Sequence, residues 1–121
     1  MNHDILKEVI FDQHEIIKKT NIVPRDYDFD LNANYVLIGL RRAGKSTLLY
    51  NIVKDLVEKG IEWNQIIYIN FEDERLADFS LNDFNDLLSV QAELTDKIGY
   101  FFLDEVQNIE GWEKFARRMA D

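Results

Sequence analysis

The architecture of this chain is predicted from nine consecutive residues: Gly39-Leu40-Arg41-Arg42-Ala43-Gly44-Lys45-Ser46-Thr47. They match the pattern G-x-x-x-x-G-K-[ST] of the phosphate-binding loop known as Walker A. That pattern requires a strand before the loop and a helix after it. An apolar run precedes the loop at residues 35–38, and apolar residues recur at helical spacing over residues 46–59. The sequence therefore predicts a strand–loop–helix unit that binds phosphate.

The residue types in this loop suit a bound polyphosphate. Glycine at positions 39 and 44 lets the backbone turn sharply and approach an anion closely. The N–H groups of the loop and of the first helical turn lack intrahelical partners and can donate to phosphate oxygens. Lys45 would reach the β- and γ-phosphates, and the hydroxyl of Ser46 would bind Mg²⁺. The alternative is a chance glycine-containing turn before a helix, which the flanking strand and helix disfavour.

Composition predicts one globular domain. The chain has 121 residues, of which 46% are hydrophobic and 31% charged, and it lacks cysteine, which excludes disulfides and thiolate chemistry. No apolar run approaches the ~20 residues that span a bilayer, and the N-terminus does not resemble a signal peptide. We therefore expect a cytoplasmic protein without a membrane partner. A net charge of −9 argues against broad adhesion to nucleic acid.

Further helices and strands are predicted from the pattern of apolar residues. Apolar periodicity predicts an N-terminal helix over residues 2–20, a helix that starts within residues 80–83 and continues to Leu94, and a helix over 111–120. Continuous apolar runs at 66–69 and 100–103 predict strands that are covered on both faces. His3 and His14 lack partners at metal-site spacing, so both are predicted to be exposed polar residues. The acidic segment 72–75 is either part of a nucleotide site or a solvated turn.

A second motif follows the strand at residues 100–103. Asp104 and Glu105 come directly after it, which is the Walker B pattern. Parallel sheets bind ligands at the carboxyl ends of their strands. There Asp104 can hold Mg²⁺, and Glu105 can orient or deprotonate an attacking water. The pattern alone also fits any strand that runs into an acidic turn, but its place after a Walker A loop and a strand–helix unit favours a nucleotide site.

Taken together, the motifs resemble those of prokaryotic AAA-type ATPases. More narrowly, they resemble an archaeal and bacterial subgroup in which the ATPase core carries a C-terminal domain often compared with nucleases. The resemblance rests on the Walker A stretch, on Tyr-Ile-Asn-Phe-Glu-Asp at 68–73, on Phe-Leu-Asp-Glu-Val-Gln-Asn at 102–108 and on Gly-Trp-Glu at 111–113.

The resemblance implies a three-layer α/β P-loop core with a mainly parallel sheet, and ATP with Mg²⁺ as its ligands. It implies that Mg²⁺ is held by Ser46 and Asp104 and that Glu105 and Lys45 act in catalysis. The residues that it implies in nucleotide binding are Gly39, Arg41, Arg42, Ala43, Gly44, Lys45, Ser46 and Thr47.

The chain departs from this family after residue 121. Members continue into another central strand with a polar sensor residue and into helices that supply an arginine to a neighbouring subunit. We therefore expect one domain over residues 1–121, truncated at its C-terminus, with an incomplete sheet of about three strands. Either the strands at 35–38 and 100–103 pair directly, or a partner chain fills a gap between them, because unpaired strand edges are costly to bury. Self-association or marginal stability is the expected consequence.

Three functions remain open from the sequence. The first is an ATPase core that couples its nucleotide to a conformational change in a larger assembly. Nucleic acid would be contacted only through the full-length protein. The second is a nucleotide-binding module without turnover, since the sensor and arginine are missing. The third is a small-molecule kinase, although no room for an arginine-bearing lid follows Asp104. A GTPase is disfavoured because the chain has no Asn-Lys-x-Asp motif.

Overall fold

The computed structural model describes residues 1–20, 35–39 and 45–120. The helices are α1 (His3–Lys19), α2 (Lys45–Glu58), α3 (Phe84–Leu94) and α4 (Trp112–Ala120), and the strands are β1 (Tyr35–Gly39), β2 (Ile66–Asn70) and β3 (Tyr100–Asp104). Short 3-10 helices occupy Trp63–Gln65, Glu74–Leu76, Leu81–Asp83 and Val106–Asn108. This alternation of strands and helices confirms the predicted α/β class. Within the described ranges, no helix is long and apolar enough to cross a membrane.

The strands of the described chain form one parallel sheet in the order β1–β3–β2. Asp104, at the end of the central strand β3, pairs with Gly39 of β1 and with Asn70 of β2. Strands β1 and β3 therefore pair directly, which is one of the two arrangements that the sequence left open. Because the strands are parallel, their carboxyl ends lie together at one edge of the sheet.

Both faces of β2 and β3 are covered, as their continuous apolar sequences predicted. Successive side chains of a strand point to opposite faces. Ile67 and Phe101 belong to a buried cluster with residues of α1, α3 and α4. Tyr68 and Phe102 belong to a second cluster, which contains the apolar face of α2. Helices therefore cover both faces of these two strands.

Local signals set the helix ends close to their predicted positions. The side chain of Asn2 accepts hydrogen bonds from the N–H groups of Asp4 and Ile5 and so caps α1. Helix α2 ends at Glu58, just before Gly60, whose φ of 109° is the left-handed conformation that favours glycine. Capping residues and terminal glycines act over a few residues, which is why the sequence alone located these ends.

The prediction that His14 is exposed is wrong. His14 is buried, and its Nε2 lies 2.7 Å from the carbonyl oxygen of Ile66 at the start of β2. A carbonyl only accepts, so Nε2 carries the hydrogen. Burial is the main cause that lowers the pKa of His14, with the nearby charge of Lys18 acting in the same direction and the bond to Ile66 opposing it. The imidazole therefore ties α1 to β2 in its neutral form.

Candidate functional site

The two ends of the predicted phosphate loop lie where the motif requires them. Gly39 is the last residue of β1, and Lys45 and Ser46 are the first two residues of α2. Thr47, in the first turn of α2, is exposed. The remaining loop residues that the sequence singled out lie outside the described residues, namely Arg41, Arg42, Ala43 and Gly44, and so do the side chains of Lys45 and Ser46. The described ranges therefore bound the loop by a strand and a helix.

Asp104 lies next to the start of that loop. It ends the central strand, its side chain is 1% exposed, and it pairs with Gly39. Paired residues of neighbouring strands lie about 4.8 Å apart. The structure therefore brings together the last residue of β1 and the first acidic residue of the second motif, although 64 positions separate them in the sequence.

The carboxyl group of Asp104 is held from inside the protein. The hydroxyl of Tyr68 donates to its Oδ2 over 2.7 Å, and both groups are buried. That distance is within the range for an O–H donor on a carboxylate. The Tyr68 ring stacks on Phe102 with centroids 5.8 Å apart, and the ring of Tyr50 meets it edge-on at 5.3 Å. Packing on two sides fixes the ring, and with it the hydroxyl.

Tyr50 connects this contact to α1. Its hydroxyl accepts a hydrogen bond of 2.8 Å from Nε2 of Gln13, which is buried on α1. Burial raises the pKa of Tyr50, the hydrogen bond from Gln13 lowers it, and the negative charge of Asp104 raises it further. A line of side chains thus runs from Gln13 on α1 through Tyr50 and Tyr68 to Asp104.

Glu105 has a left-handed backbone, with φ of 57° and ψ of 35°. No other non-glycine residue in the described ranges has a positive φ. Such a conformation costs an L-residue roughly 1–2 kcal/mol and is often retained at functional sites. It ends β3 and turns the chain into the 3-10 helix Val106–Asn108, whose first side chain is buried in the core.

The side chain of Glu105 is held by a neighbour in its own turn. The amide Nε2 of Gln107 donates to its Oε2 over 2.6 Å. Glu105 is 9% exposed, while Gln107 lies at the surface. An amide that donates to one carboxylate oxygen restricts the rotation of that group without neutralising it.

The chemistry of this edge suits Mg²⁺ shared with a phosphate. Mg²⁺ in nucleotide sites takes one or two carboxylates and completes its shell with phosphate oxygens and water. In the described part of the chain, no group of three or more histidine, aspartate or glutamate side chains could hold a metal by itself. Asp104 is one carboxylate of the kind that such a site uses.

The acidic segment after β2 has a different role from the site. Arg75 bonds to Asp73 of its own segment and to Glu8 and Asp12 of α1, all at the surface. The hydrogen bonds from Arg75 hold the pKa of Asp73 below its usual range. These contacts join the segment to α1 in water and favour the solvated-turn interpretation over a part in the site.

Two residues beside the carboxylates were missed by the sequence reasoning. Tyr68 stands in an apolar strand and was interpreted as core, and Gln107 was part of a motif with no role assigned to it. The sequence did contain one signal for Tyr68, since a phenol in a fully buried strand usually needs a hydrogen-bond partner.

Comparisons with known proteins identify the family of this chain. A family model described as an AAA domain matches residues 32–121, which include all of the sheet and exclude α1. An uncharacterized protein of Methanocaldococcus jannaschii is 38% identical over 119 residues, which are 97% of this chain and 26% of that protein. An uncharacterized protein of Haemophilus influenzae is 35% identical over 85 residues, which are 69% of this chain and 21% of that protein. No solved structure gives a significant match.

The chain thus spans about a quarter of the length of the curated relatives it matches, 26% of one and 21% of the other. The predicted resemblance to AAA-type ATPases is confirmed at the level of the family. Since the family model covers well over half of the residues, the chain belongs to the AAA domain family.

Proposed function

We propose that this chain binds ATP with Mg²⁺ at the carboxyl edge of its sheet, between the loop that follows β1 and the end of β3. The observation that carries the proposal is the register of the central strand, which sets Asp104 beside Gly39. Membership of the AAA domain family supports a nucleotide-binding module. We further propose that the site hydrolyses ATP in the whole protein, of which residues 1–121 would form a single P-loop domain.

Each residue would act according to its position. N–H groups at the start of α2 would donate to phosphate oxygens, helped by the partial positive charge of the helix N-terminus. Lys45 would add a full positive charge there. Ser46 and Asp104 would hold the Mg²⁺, which would supply positive charge beside the phosphates.

Glu105 would orient the attacking water and accept its proton. It follows Asp104 directly, at the carboxyl end of β3 where the proposed metal site lies. Its left-handed backbone turns the chain after β3, and Gln107 restrains its carboxylate. General bases of this kind contribute about 10²–10⁴-fold to a rate.

The test uses three variants of the full chain with ATP and Mg²⁺. We expect Lys45→Ala to weaken nucleotide binding at least about tenfold in calorimetric titration, since the lysine of this loop contacts the β- and γ-phosphates. Lys59→Ala is the matched control, because it removes the same charge just beyond the other end of α2. Glu105→Gln should bind ATP like the parent and release phosphate at least about 100-fold more slowly.

Two results would contradict the proposal. Binding by Lys45→Ala as tight as that of Lys59→Ala would show that the loop after β1 does not hold the nucleotide. A parent protein without affinity for any nucleoside triphosphate in the presence of Mg²⁺ would remove the site altogether. Nucleotide binding without phosphate release would leave a binding module in this chain, and hydrolysis would then be tested on the whole protein.

A further inference from the structure

We propose that Tyr68 is a positioning residue for Asp104 and that its hydroxyl sets the affinity of the nucleotide site for Mg²⁺. The inference rests on the proposed function, since it concerns the metal that Asp104 would help to hold. It is carried by the buried hydrogen bond of 2.7 Å between the Tyr68 hydroxyl and Oδ2 of Asp104.

The register of the sheet explains why a tyrosine reaches this carboxylate. Tyr68 of β2 pairs with Phe102 of β3, and Asp104 lies two residues further along β3 on the same face. With strands about 4.8 Å apart and a rise of about 3.3 Å per residue, the two Cα atoms lie about 8 Å apart, a distance that a tyrosine side chain can span. A serine or threonine at position 68 would be too short to place a hydroxyl there.

The ring that carries the hydroxyl has little freedom. Tyr68 is 0% exposed, stacks on Phe102 and meets the edge of Tyr50. Its backbone is paired to the central strand β3. The hydroxyl is therefore held in place by the core before any ligand arrives, and it can serve as a fixed reference for the carboxylate.

A fixed donor on Oδ2 restricts the orientation of the whole carboxylate. The terminal torsion of aspartate is broad and roughly two-fold, so an unrestrained carboxylate samples a range of orientations. A hydrogen bond to one oxygen sets the plane of the group and hence the direction of the other oxygen. Loss of such partners of metal ligands typically costs about 10–100-fold in metal affinity. Because Mg²⁺ here would also be held by phosphate and water, we expect the low end of that range.

The experiment compares two variants that each remove one buried hydroxyl. Tyr68→Phe removes the donor to Asp104 and keeps the ring. Tyr100→Phe removes a phenol from the same buried cluster at the opposite end of β3, about 13 Å from Asp104 at 3.3 Å per residue. Binding of a fluorescent ATP analogue is titrated against MgCl₂ for the parent and both variants, with EDTA samples for metal-free binding and a melting curve for each protein.

We expect Tyr68→Phe to need about tenfold more Mg²⁺ for half-maximal enhancement of nucleotide binding. Its affinity for the nucleotide in EDTA should equal that of the parent, because the hydroxyl acts only through the metal ligand. Tyr100→Phe should show the Mg²⁺ dependence of the parent even where its melting temperature is lowered. Paramagnetic resonance of Mn²⁺ in the presence of nucleotide gives the metal affinity directly, without any turnover.

The outcomes separate this inference from the function on which it rests. A parent that binds no nucleotide, or binds it equally with EDTA and with Mg²⁺, refutes the proposed site. A parent with clear Mg²⁺ dependence and a Tyr68→Phe variant with the same midpoint refutes the role of Tyr68 alone. An equal increase in the Mg²⁺ midpoint of both variants refutes it as well, because it would show a general effect of destabilising the core.

A second measurement tests the proposal without the Tyr68→Phe variant, in case that variant does not fold. The unsubstituted sequence is labelled with 3-fluorotyrosine, and the ¹⁹F signal of Tyr68 is assigned by replacing each of the other four tyrosines in turn. Addition of Mg²⁺ to the nucleotide-bound protein should move this signal and leave that of Tyr100 in place. A Tyr68 signal that does not respond would overturn the proposal.

Discussion

Asp104 and Glu105 are neighbours in sequence, yet different parts of the molecule hold them. Asp104 receives its hydrogen bond from Tyr68, which lies 36 positions earlier, on another strand, inside the core. Glu105 receives its hydrogen bond from Gln107, which lies two positions later at the surface. The backbone of Asp104 is regular strand, whereas that of Glu105 is left-handed.

The difference suits the two roles proposed for them. A metal ligand works best when its position is fixed before the metal arrives, and contacts with a packed core provide that rigidity. Glu105 is 9% exposed and Gln107 restrains its carboxylate, so its orientation is set within the turn that follows β3. The first carboxylate depends on tertiary structure, and the second depends on a turn.

The largest expected effect is on stability, with a large loss for one partner and a small loss for the other. Tyr68→Phe should lower the free energy of unfolding by about 1.5–3 kcal/mol, because it leaves a buried carboxylate oxygen without its donor. Gln107→Leu should lower it by less than about 0.5 kcal/mol, since the residue is at the surface and water can replace its amide. Urea denaturation followed by circular dichroism measures both. Equal losses would show that the two carboxylates are held alike.

Local signals allowed much of the fold to be predicted. The ends of α1 and α2 were within one residue of their predicted positions, because apolar periodicity marks the length of a helix and Gly60 ends α2 locally. The buried strands followed from continuous apolar runs. The direct pairing of β1 with β3 could not be predicted, since strand order depends on how the helices pack across the sheet.

The carboxylates were predicted, but their surroundings were not. The Tyr68–Asp104 contact depends on the register between β2 and β3, which no single segment encodes. His14 was wrongly predicted to be exposed, because only the packing of α1 against β2 brings it to the carbonyl of Ile66. The left-handed backbone of Glu105 had no signal in the sequence, since glycine and asparagine are the residues typical of that conformation.

The next largest expected effect is on the free energy of unfolding of a variant that relieves the backbone strain at Glu105. Glu105→Gly should raise the free energy of unfolding by up to about 1 kcal/mol, because glycine adopts the left-handed conformation without the penalty of a Cβ atom. The same variant should lose phosphate release. Glu110→Gly is the control: it is an exposed glutamate five residues on, without a positive φ, and should lose about 0.5–1 kcal/mol to the greater freedom of the unfolded chain.

A Glu105→Gly variant that is destabilised as much as Glu110→Gly would contradict this expectation. It would mean that the contact with Gln107 and the packing of the glutamate outweigh the backbone strain. A stabilised but inactive variant would instead indicate that the chain retains the strained glutamate for function, a common feature of active sites.

The smallest expected effect is on the pKa of Tyr50, which tests whether Tyr50 and Gln13 are coupled to Asp104. The pKa of Tyr50 is raised by burial, lowered by the bond from Gln13 and raised by the charge of Asp104. Asp104→Asn should therefore move this pKa down towards its ordinary value, and Gln13→Leu should move it up. Gln107→Leu, on the Glu105 side, should leave it unchanged. Titration of ¹³Cζ-labelled tyrosine by NMR resolves Tyr50 from the other phenols.

The raised pKa of Tyr50 also predicts how the free energy of unfolding changes at alkaline pH. The folded pKa of Tyr50 lies above its unfolded value of 10.0, so the unfolded chain loses the phenolic proton first as the pH rises. This contribution to stability is therefore fully present below pH 10 and is lost as the pH rises through the folded pKa. Tyr50→Phe should flatten that part of the stability curve. Two results together would contradict this coupling: an unchanged alkaline stability curve in Tyr50→Phe, and an unchanged Tyr50 pKa in Asp104→Asn. They would show that Tyr68, but not Tyr50 or α1, interacts with Asp104.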